Sequence, residues 1–484
     1  MPDTPHVPGE PAALRAANGR LRQLLGERDA QIAELRTLVT ALQAQVAELT
    51  ARVQSNSKNS SRPPSSDGLG KPAPKSLRTK TGRKPGRPKG QPGKTLELAD
   101  RPDRVIRHEP RCCAGCGAGL SGAEETGTER RQVIDVPPVR PEVTEHQMIA
   151  RRCGCGTVTR GQAPDGVTAP VQYGPRISGI GAYLWHGQFL SRNRTCQALG
   201  ELFGVAASPG TVAAMARRAA GFIAPALAAI ITALQAAEVA HFDETGFRVA
   251  GKLAWVHSAS SGKHVLVTVH PRRGKEAMDA AGILPAFAGI ACHDAWAPYG
   301  RYQDVAGHAL CNAHLLRELA AVTETGASDD VIWARQATEA LLALKDAAGA
   351  ARAAGHDAID PAALDLHSRY FRDAAAAGIV LNAARKGTLQ RKRRALAARM
   401  RGRQADYLRF ANDLRVPFDN NEAEQVIRMG KLRIKVSGCM RSMTGAEIFC
   451  AIRSYLATAA RHGIAALDAL TRAAAGTSWI PGTT

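Results

Sequence analysis

One strand-like run, with an acid near its end, limits the folds open to this chain more than any other feature. Three runs of strand type follow one another: Val239 to Gly246, Phe247 to Ser258 and Lys263 to His270. A helix is predicted at Lys275 to Ala281 and a fourth strand at 287–293. Three successive strands, a helix, another strand and then helices predict a mixed α/β core.

Acids stand at two of these strand ends and in one distant segment. Asp243 lies in the first run, Asp294 closes the fourth, and Glu422 and Glu424 follow the downstream segment Asp419-Asn420-Asn421. Residues two apart on a helix point about 200° from each other, so only one of the two glutamates can face the strand ends. Spacing alone does not choose between them.

Three converging carboxylates would suit a pair of Mg²⁺ or Mn²⁺ ions, because hard cations prefer oxygen ligands. Two such ions can stabilise the attacking and leaving oxygens of a displacement at phosphorus. The order of elements is that of a ribonuclease-H-like α/β core, in which metal ligands gather at strand ends and on a late helix. We therefore predict phosphodiester chemistry in a core at 237–436. The alternative is that Asp243 caps a turn and Asp294 starts a loop.

The charge of the chain indicates its partner. Across 484 residues, 64 Lys and Arg stand against 43 Asp and Glu, a net charge of +21. This excess predicts a polyanionic partner, most simply double-stranded DNA, and the length predicts several domains. The sequence has no run of roughly 18 apolar residues and no signal-like start, so we expect a cytoplasmic protein without a membrane partner.

The N-terminal segment, residues 1–54, has the spacing of a coiled coil. One heptad track carries Leu25, Ile32, Val39, Val46 and Val53, and the other carries Leu21, Leu35, Leu42 and Leu49. Mostly β-branched residues on the first track and leucines on the second favour a parallel dimer. We expect a homodimer or higher assembly; the alternative is a single amphipathic helix packed on its own protein.

Residues 55–98 predict a disordered basic linker, rich in Ser, Pro, Gly, Lys and Arg. Within it, the segment Arg83-Lys84-Pro85-Gly86-Arg87-Pro88-Lys89-Gly90 resembles an AT-hook, whose Gly-Arg-Pro core lies in a narrow minor groove. Arg83, Lys84, Arg87 and Lys89 are the expected DNA contacts. A basic tether that only attracts the DNA backbone is the alternative.

Two short-spaced cysteine pairs predict a zinc-binding module at 99–160, here called the cysteine module. We assign Cys113, Cys116, Cys153 and Cys155 as ligands of a structural Zn²⁺, with Cys112 as a spare. A strand-like stretch, Arg131 to Arg151, is expected between the pairs. The alternative is a set of reduced thiols without a metal.

The remaining segments are predicted to be helical: 161–236, an insertion at about 320–412 within the core, and 437–484. In the first, Thr195 to Phe203 and Ser208 to Arg218 are spaced like a helix-turn-helix, although a plain helical hairpin fits equally well. The insertion carries a basic run, Arg391-Lys392-Arg393-Arg394, that we expect to follow a DNA backbone; a solvated helix face is the alternative.

Cys311 and His314 stand where a predicted strand enters a helix. Two residues make an incomplete zinc site. We expect them to pack beside the carboxylates, with His314 offering a hydrogen bond or a phosphate contact.

These segments together resemble a bacterial DDE transposase of the insertion sequence 66 family, the TnpC type. The resemblance covers nearly the whole chain: the coiled coil, the linker, the cysteine module, the His241 to Gly246 block and the Cys311 to Leu319 block. Its most specific part is Asp419-Asn420-Asn421-Glu422-Ala423-Glu424, similar to the family's D-N-N-x-A-E-R. This match implies that Glu424, and not Glu422, joins Asp243 and Asp294, with Asn420 and Asn421 in supporting positions. Gln425 departs from the pattern, which usually has Arg.

The resemblance implies a multidomain polynucleotidyl transferase that cuts and joins the ends of its element by two-metal-ion phosphoryl transfer. It also implies accessory proteins encoded by the same element, and a bacterial protein associated with the nucleoid when bound to DNA. The rival is a non-enzymatic, zinc-containing, dimeric DNA-binding regulator; a third possibility is an inactive copy.

Overall fold

The computed structural model describes residues 10–54, 96–325, 328–383 and 387–482. The predicted DNA contacts Arg83, Lys84, Arg87 and Lys89, and most of the predicted linker, lie outside the described residues.

The N-terminal segment is one uninterrupted helix, α1 (Glu10–Gln54). The residues of both heptad tracks are exposed on it, from Leu21 to Val53. The predicted helix is confirmed. No other described part of the chain packs against its apolar stripe. Pairing with a second copy stays a prediction.

The cysteine module has little regular structure. A short antiparallel pair, β1 (Ala150–Arg152) and β2 (Val158–Arg160), is the hairpin that presents its second cysteine pair. The strand predicted at Arg131 to Arg151 is wrong except at its end, because 131–149 form no strand in the structure. Prolines 137, 138 and 141 lack the N–H that a strand ladder needs.

A helical region follows, with α2 (Pro175–Ala182), α3 (Arg192–Phe203), α4 (Pro209–Phe222) and α5 (Ala224–Gln235). Helix α3 ends at Gly204, whose φ of 65° is left-handed. The hydroxyl of Ser208 caps α4 by accepting the backbone N–H of Thr211 at 3.1 Å. The two predicted helices and the turn between them are confirmed.

The central sheet contains β3 (Val239–Val249), β4 (Lys252–Ser261), β5 (His264–His270), β6 (Ile290–His293) and β7 (Gly307–Leu310), in the order β5-β4-β3-β6-β7. The first three strands are antiparallel, and β6 and β7 run parallel to β3. The first strand turns at Ala250-Gly251, beyond the predicted boundary at Gly246. Both turn residues have positive φ, 49° and 77°, as a tight hairpin requires.

Helices cover both faces of the sheet. On one face, Phe247 and Val256 pack with Phe449 under α13 (Asn421–Ser437) and α14 (Met443–Arg461). On the other, Phe242 packs with Ile230 of α5 and Met278 of α6 (Lys275–Ala280). Since side chains alternate along a strand, odd-numbered residues of β3 face α13, and Asp243 is one of them.

The insertion is helical, as predicted, with α7 (Asn312–Thr325), α8 (Ser328–Ala353), α9 (Pro361–Ala383), α10 (Thr388–Gly402), α11 (Gln404–Tyr407) and α12 (Arg409–Asn412). Its core surrounds the fully buried Trp333, and the close approach of α9 to α8 uses Gly378, where an added Cβ would lie 3.0 Å from that ring. A last helix, α15 (Ala466–Ala474), packs against α2.

Among the described helices, none is alone long and apolar enough to cross a membrane. The pair α4 and α5, bent by 49°, meets that test only when its two helices are joined.

Candidate active site at the edge of the mixed sheet

Asp243 is the centre of a group of acids at the end of the parallel part of the sheet. Its side chain faces α13, and one carboxylate oxygen accepts the backbone N–H of Glu244 at 2.9 Å. Burial raises the pKa of Asp243 well above its usual value, and the charges of Glu244, Asp294 and Glu424 raise it further. The predicted acids Asp243, Asp294 and Glu424 are here called the acidic site, because the charges of Asp294 and Glu424 act on the Asp243 carboxylate.

The sheet register brings Asp294 to Asp243. His241 of β3 lies beside Cys292 of the parallel strand β6, so the two aspartates each stand two residues beyond that pair. One oxygen of Asp294 accepts the backbone N–H of Trp296 at 3.0 Å, which holds the carboxylate at the start of the following loop. The register thus brings Asp243 near Asp294, which follows the carboxyl end of β6. The prediction that Asp243 stands at a strand end is wrong, because β3 continues to Val249.

The two candidate glutamates of α13 point in different directions. Glu422 lies 2.8 Å from Arg461 and 3.5 Å from Nε2 of His241. Glu424 instead acts on the pKa of Asp243 and lies 3.1 Å from Arg428. The charge of Glu424 thus acts on Asp243, whereas Glu422 pairs with Arg461 and His241.

The first asparagine of the downstream motif anchors α13 to the sheet. Asn420 is buried; its Nδ2 donates to the carbonyl of Phe242 at 2.7 Å, and its Oδ1 accepts from Nδ1 of His241 at 2.8 Å. Its neighbour Asn421 is exposed, and its backbone N–H donates to the side chain of Asp419 at 3.1 Å. Asn420 is thus the N-terminal cap residue of α13, and its two hydrogen bonds to β3 fix where the helix, and with it Glu424, begins.

Cys311 and His314 lie against Glu424. One potential ligand atom from each of the three residues lies within 4.8 Å of the other two, a grouping that, within the described ranges, the aspartates do not join. Burial raises the pKa of the Cys311 thiol to about 12 and lowers the pKa of His314. Cys311 and His314 were predicted to pack beside the carboxylates, and in the structure both lie next to the carboxylate of Glu424.

Three cations surround the acids. Arg317 of α7 lies 3.8 Å from Glu424, and Arg428 lies on the other side. Burial lowers the pKa of Lys431, whereas the charges of Asp243 and Glu424 raise it. Sequence reasoning missed Arg317, because its partner Glu424 lies more than 100 residues away in the chain.

Glu244, next to Asp243, was also missed. It faces the opposite side of the sheet, where it accepts hydrogen bonds from Nε and Nη2 of Arg273 at 3.0 and 2.7 Å and from the hydroxyl of Tyr299 at 2.6 Å. Burial and the charge of Asp294 raise its pKa to about 7. The guanidinium lies 3.9 Å from the ring centre of Trp296, so this network ties the loop after Asp294 to β3.

The basic run on α10 does not present all of its residues to solvent. Arg391, Lys392 and Arg394 are exposed. Arg393 is buried: it lies 3.0 Å from the carboxylate of the fully buried Asp330 and donates to the carbonyl of Thr325 at 2.7 Å. The prediction that Arg393 contacts DNA is therefore corrected, because its guanidinium compensates a buried charge inside the insertion.

The cysteine module brings its thiols together as two pairs. Backbone N–H groups of Cys116 and Gly115 lower the pKa of Cys113, and the Thr157 hydroxyl lowers the pKa of Cys155 to about 7. In the described residues the two pairs do not meet within 4.8 Å. The donor set nevertheless fits zinc, since thiolates in two tight turns are its usual structural ligands. The spare Cys112 is exposed.

The fold and the site define a mixed α/β protein with an acidic cluster at its sheet edge and a cysteine-rich accessory module. The sequence model of the Transposase IS66 family matches residues 170–448, and the chain belongs to that family. The zinc-finger binding domain of transposase IS66 matches 110–156, and a family of unknown function matches 17–97. No curated protein matches the chain.

Proposed function

We propose that this transposase cleaves DNA at the ends of its element and joins them to target DNA, using Asp243, Asp294 and Glu424 as ligands of two Mg²⁺ or Mn²⁺ ions. The observation that carries the proposal is the grouping of these three acids, from β3, the end of β6 and α13, in which the charges of Asp294 and Glu424 act on Asp243. Three half-buried carboxylates in one group repel one another, and such an arrangement becomes favourable when cations are bound.

The sheet supports the same reading. An order of β5-β4-β3-β6-β7, with three antiparallel strands and two more parallel to β3, is the arrangement of a ribonuclease-H-like core. We infer that the insertion from α7 to α12 interrupts this core before its last acidic helix.

The reaction would run in two displacements at phosphorus. Water attacks the phosphodiester at the element end and releases a 3′-hydroxyl, and that hydroxyl then attacks a target phosphodiester and displaces its 3′-oxygen. The bound cations would stabilise the attacking and leaving oxygens. Asn420 keeps Glu424 in place, and the network of Glu244 holds the loop that carries Asp294. Arg317, Arg428 and Lys431 place positive charge beside the phosphate.

DNA would be held at several places outside the acids. The exposed Arg391, Lys392 and Arg394 of α10, the segment 83–90, and the helices α3 and α4 are the proposed contacts, with the cysteine module as a zinc-dependent DNA-binding part. The exposed apolar stripe of α1 would pair with a second copy in a coiled coil, so that one assembly can hold two ends. Accessory proteins from the same element are further expected partners.

The test is a nicking and strand-transfer assay on DNA that carries element ends, with Mg²⁺ or Mn²⁺. Asp243→Asn should abolish cleavage and leave end binding intact, because it removes a ligand and keeps the shape of the side chain. Asp304→Asn, the same change at an exposed acid, is the matched control. Equal loss of binding and cleavage in Asp243→Asn would show a structural role. End binding without any cleavage by the wild type, with either cation, would favour the regulator or an inactive copy.

A further inference from the structure

The group formed by Cys311, His314 and Glu424 has the composition of a metal site of its own. Cys311 immediately precedes α7, His314 lies in its first turn, and Glu424 comes from α13. A sulfur, a ring nitrogen and a carboxylate oxygen lie within 4.8 Å of one another. Ligand atoms around a tetrahedral zinc ion are roughly 3–4 Å apart, so small side-chain movements would suffice to close the group.

Hydrogen bonding within the site points to a ligand. Nδ1 of His314 is buried and has no hydrogen-bond partner in the described part of the protein, which is unfavourable for a polar ring nitrogen. The Cys311 sulfur accepts the backbone N–H of Asn420 at 3.3 Å. Hydrogen bonds of this kind orient a thiolate toward a metal and tune it.

The donor atoms select the class of cation. A thiolate and an imidazole favour Zn²⁺ and similar thiophilic divalent ions, whereas Mg²⁺ takes oxygen ligands almost exclusively. Three protein ligands would leave a fourth position for water or another oxygen ligand. The group therefore differs in chemistry from the all-carboxylate site proposed above and from the four-thiol set of the cysteine module.

We propose that Cys311, His314 and Glu424 bind a zinc-type divalent cation at the edge of the acidic site. The inference rests on the proposed function in one respect, the sharing of Glu424 with the proposed Mg²⁺ ligands. The bound ion joins the start of α7 to α13 and occupies one oxygen of the carboxylate that completes the acidic site.

The zinc content of the full-length protein tests this site. The wild type, loaded with zinc and freed of excess, should hold about two zinc ions per chain, one in the cysteine module and one here. Cys311→Ser should reduce the content to about one. Cys450→Ser, at another buried thiol that belongs to the core cluster of Phe449 and is not part of this group, should keep both.

A second experiment separates the signal of the Cys311 site from that of the cysteine module. With Cys113 and Cys116 both replaced by Ser, the full chain bound to Co²⁺ should retain the near-ultraviolet absorption of a thiolate–cobalt bond. Adding Cys311→Ser or His314→Ala should remove or shift that absorption. Far-ultraviolet circular dichroism checks folding; if Cys311→Ser does not fold, His314→Ala and Glu424→Gln take its place in the zinc measurement.

The inference is overturned if the folded wild type holds only about one zinc ion, or if folded Cys311→Ser and His314→Ala variants hold as much as the wild type. The outcome is separable from the proposed function. A protein that binds two zinc ions but shows no Mg²⁺-dependent cleavage would contradict the proposed activity and support the zinc site. A protein that cleaves DNA but binds only one zinc ion would support the activity and contradict the zinc site.

Discussion

The acidic site and the cysteine module assemble their reactive groups in opposite ways. Asp243, Asp294 and Glu424 come from three distant segments and are held by a packed sheet and a buried asparagine. The module gathers its thiols in local pairs on exposed chain, with only the hairpin β1 and β2 for support. The charges of the acids already act on one another, whereas the two thiol pairs lie apart and the proposed zinc ion would have to bring them together. We therefore expect changes in the acidic site to affect chemistry and core stability, and changes in the module to act locally.

The largest contrast is expected between two glutamates on one helix. Glu424→Gln should reduce cleavage roughly a thousandfold, about 4 kcal/mol of transition-state stabilisation, because Glu424 faces Asp243. Glu422→Gln, two residues away and held by Arg461, should reduce it by less than about tenfold. Initial nicking rates at saturating Mg²⁺ measure both variants. Similar losses would show that the helix as a whole, and not one carboxylate, matters.

The next contrast concerns two adjacent asparagines. Asn420→Ala should lower the free energy of unfolding by about 2–4 kcal/mol, because it leaves His241 and the Phe242 carbonyl without their partner. Asn421→Ala, at an exposed position, should change it by less than about 0.5 kcal/mol. Denaturant unfolding of both variants gives the comparison. A small effect at Asn420 would mean that α13 docks mainly through its apolar contacts.

A smaller effect is expected from pH in the absence of added Mg²⁺. Burial and neighbouring acids raise the folded pKa of Asp243 above its usual 3.8. The folded state then holds this proton more tightly than the unfolded state, so the stabilisation is present at low pH and is lost as pH rises through the folded pKa. Wild type should therefore lose more stability than Asp243→Asn as pH rises above the usual pKa of an aspartate. Parallel unfolding curves at several pH values test this, and identical slopes would contradict it.

The smallest effect on the core should come from the module. Cys113→Ser, which weakens the proposed zinc set, should increase amide hydrogen exchange within 99–160 and change the unfolding of the sheet by less than about 0.5 kcal/mol. Hydrogen exchange followed by mass spectrometry resolves the two regions. Faster amide hydrogen exchange in β3 or β6 would contradict this expectation and show that the module stabilises the core.

Sequence reasoning predicted the parts of the site that local patterns encode. The apolar run that ends at Asp294 was sufficient to predict that acid at a strand end, whereas Asp243, predicted at a strand end, lies within β3. Glu424 was selected over Glu422 only through the family motif, and the structure then showed Glu422 engaged by His241 and Arg461. The strand expected at Arg131 to Arg151 is wrong over 131–149, where prolines 137, 138 and 141 cannot donate to a strand ladder.

Three features needed the folded structure. The first is Arg393, which looked like its exposed neighbours but compensates buried Asp330. The second is Arg317, whose helix places it beside Glu424. The third is Glu244, whose partners Arg273 and Tyr299 come from separate loops. In each case the partner is distant in the chain, so no local period carries the signal.

The sequence alone determined the order of strands and helices, the charge that attracts a polyanion, and the residue types able to bind metals, because these depend on composition and short-range spacing. Only the tertiary structure decided which of those groups meet. The register of the parallel strands and the anchoring of α13 by Asn420 set the distances between the acids, and packing decides which charges are buried. These distances matter because metal coordination and electrostatic energy both depend strongly on the separation of the groups.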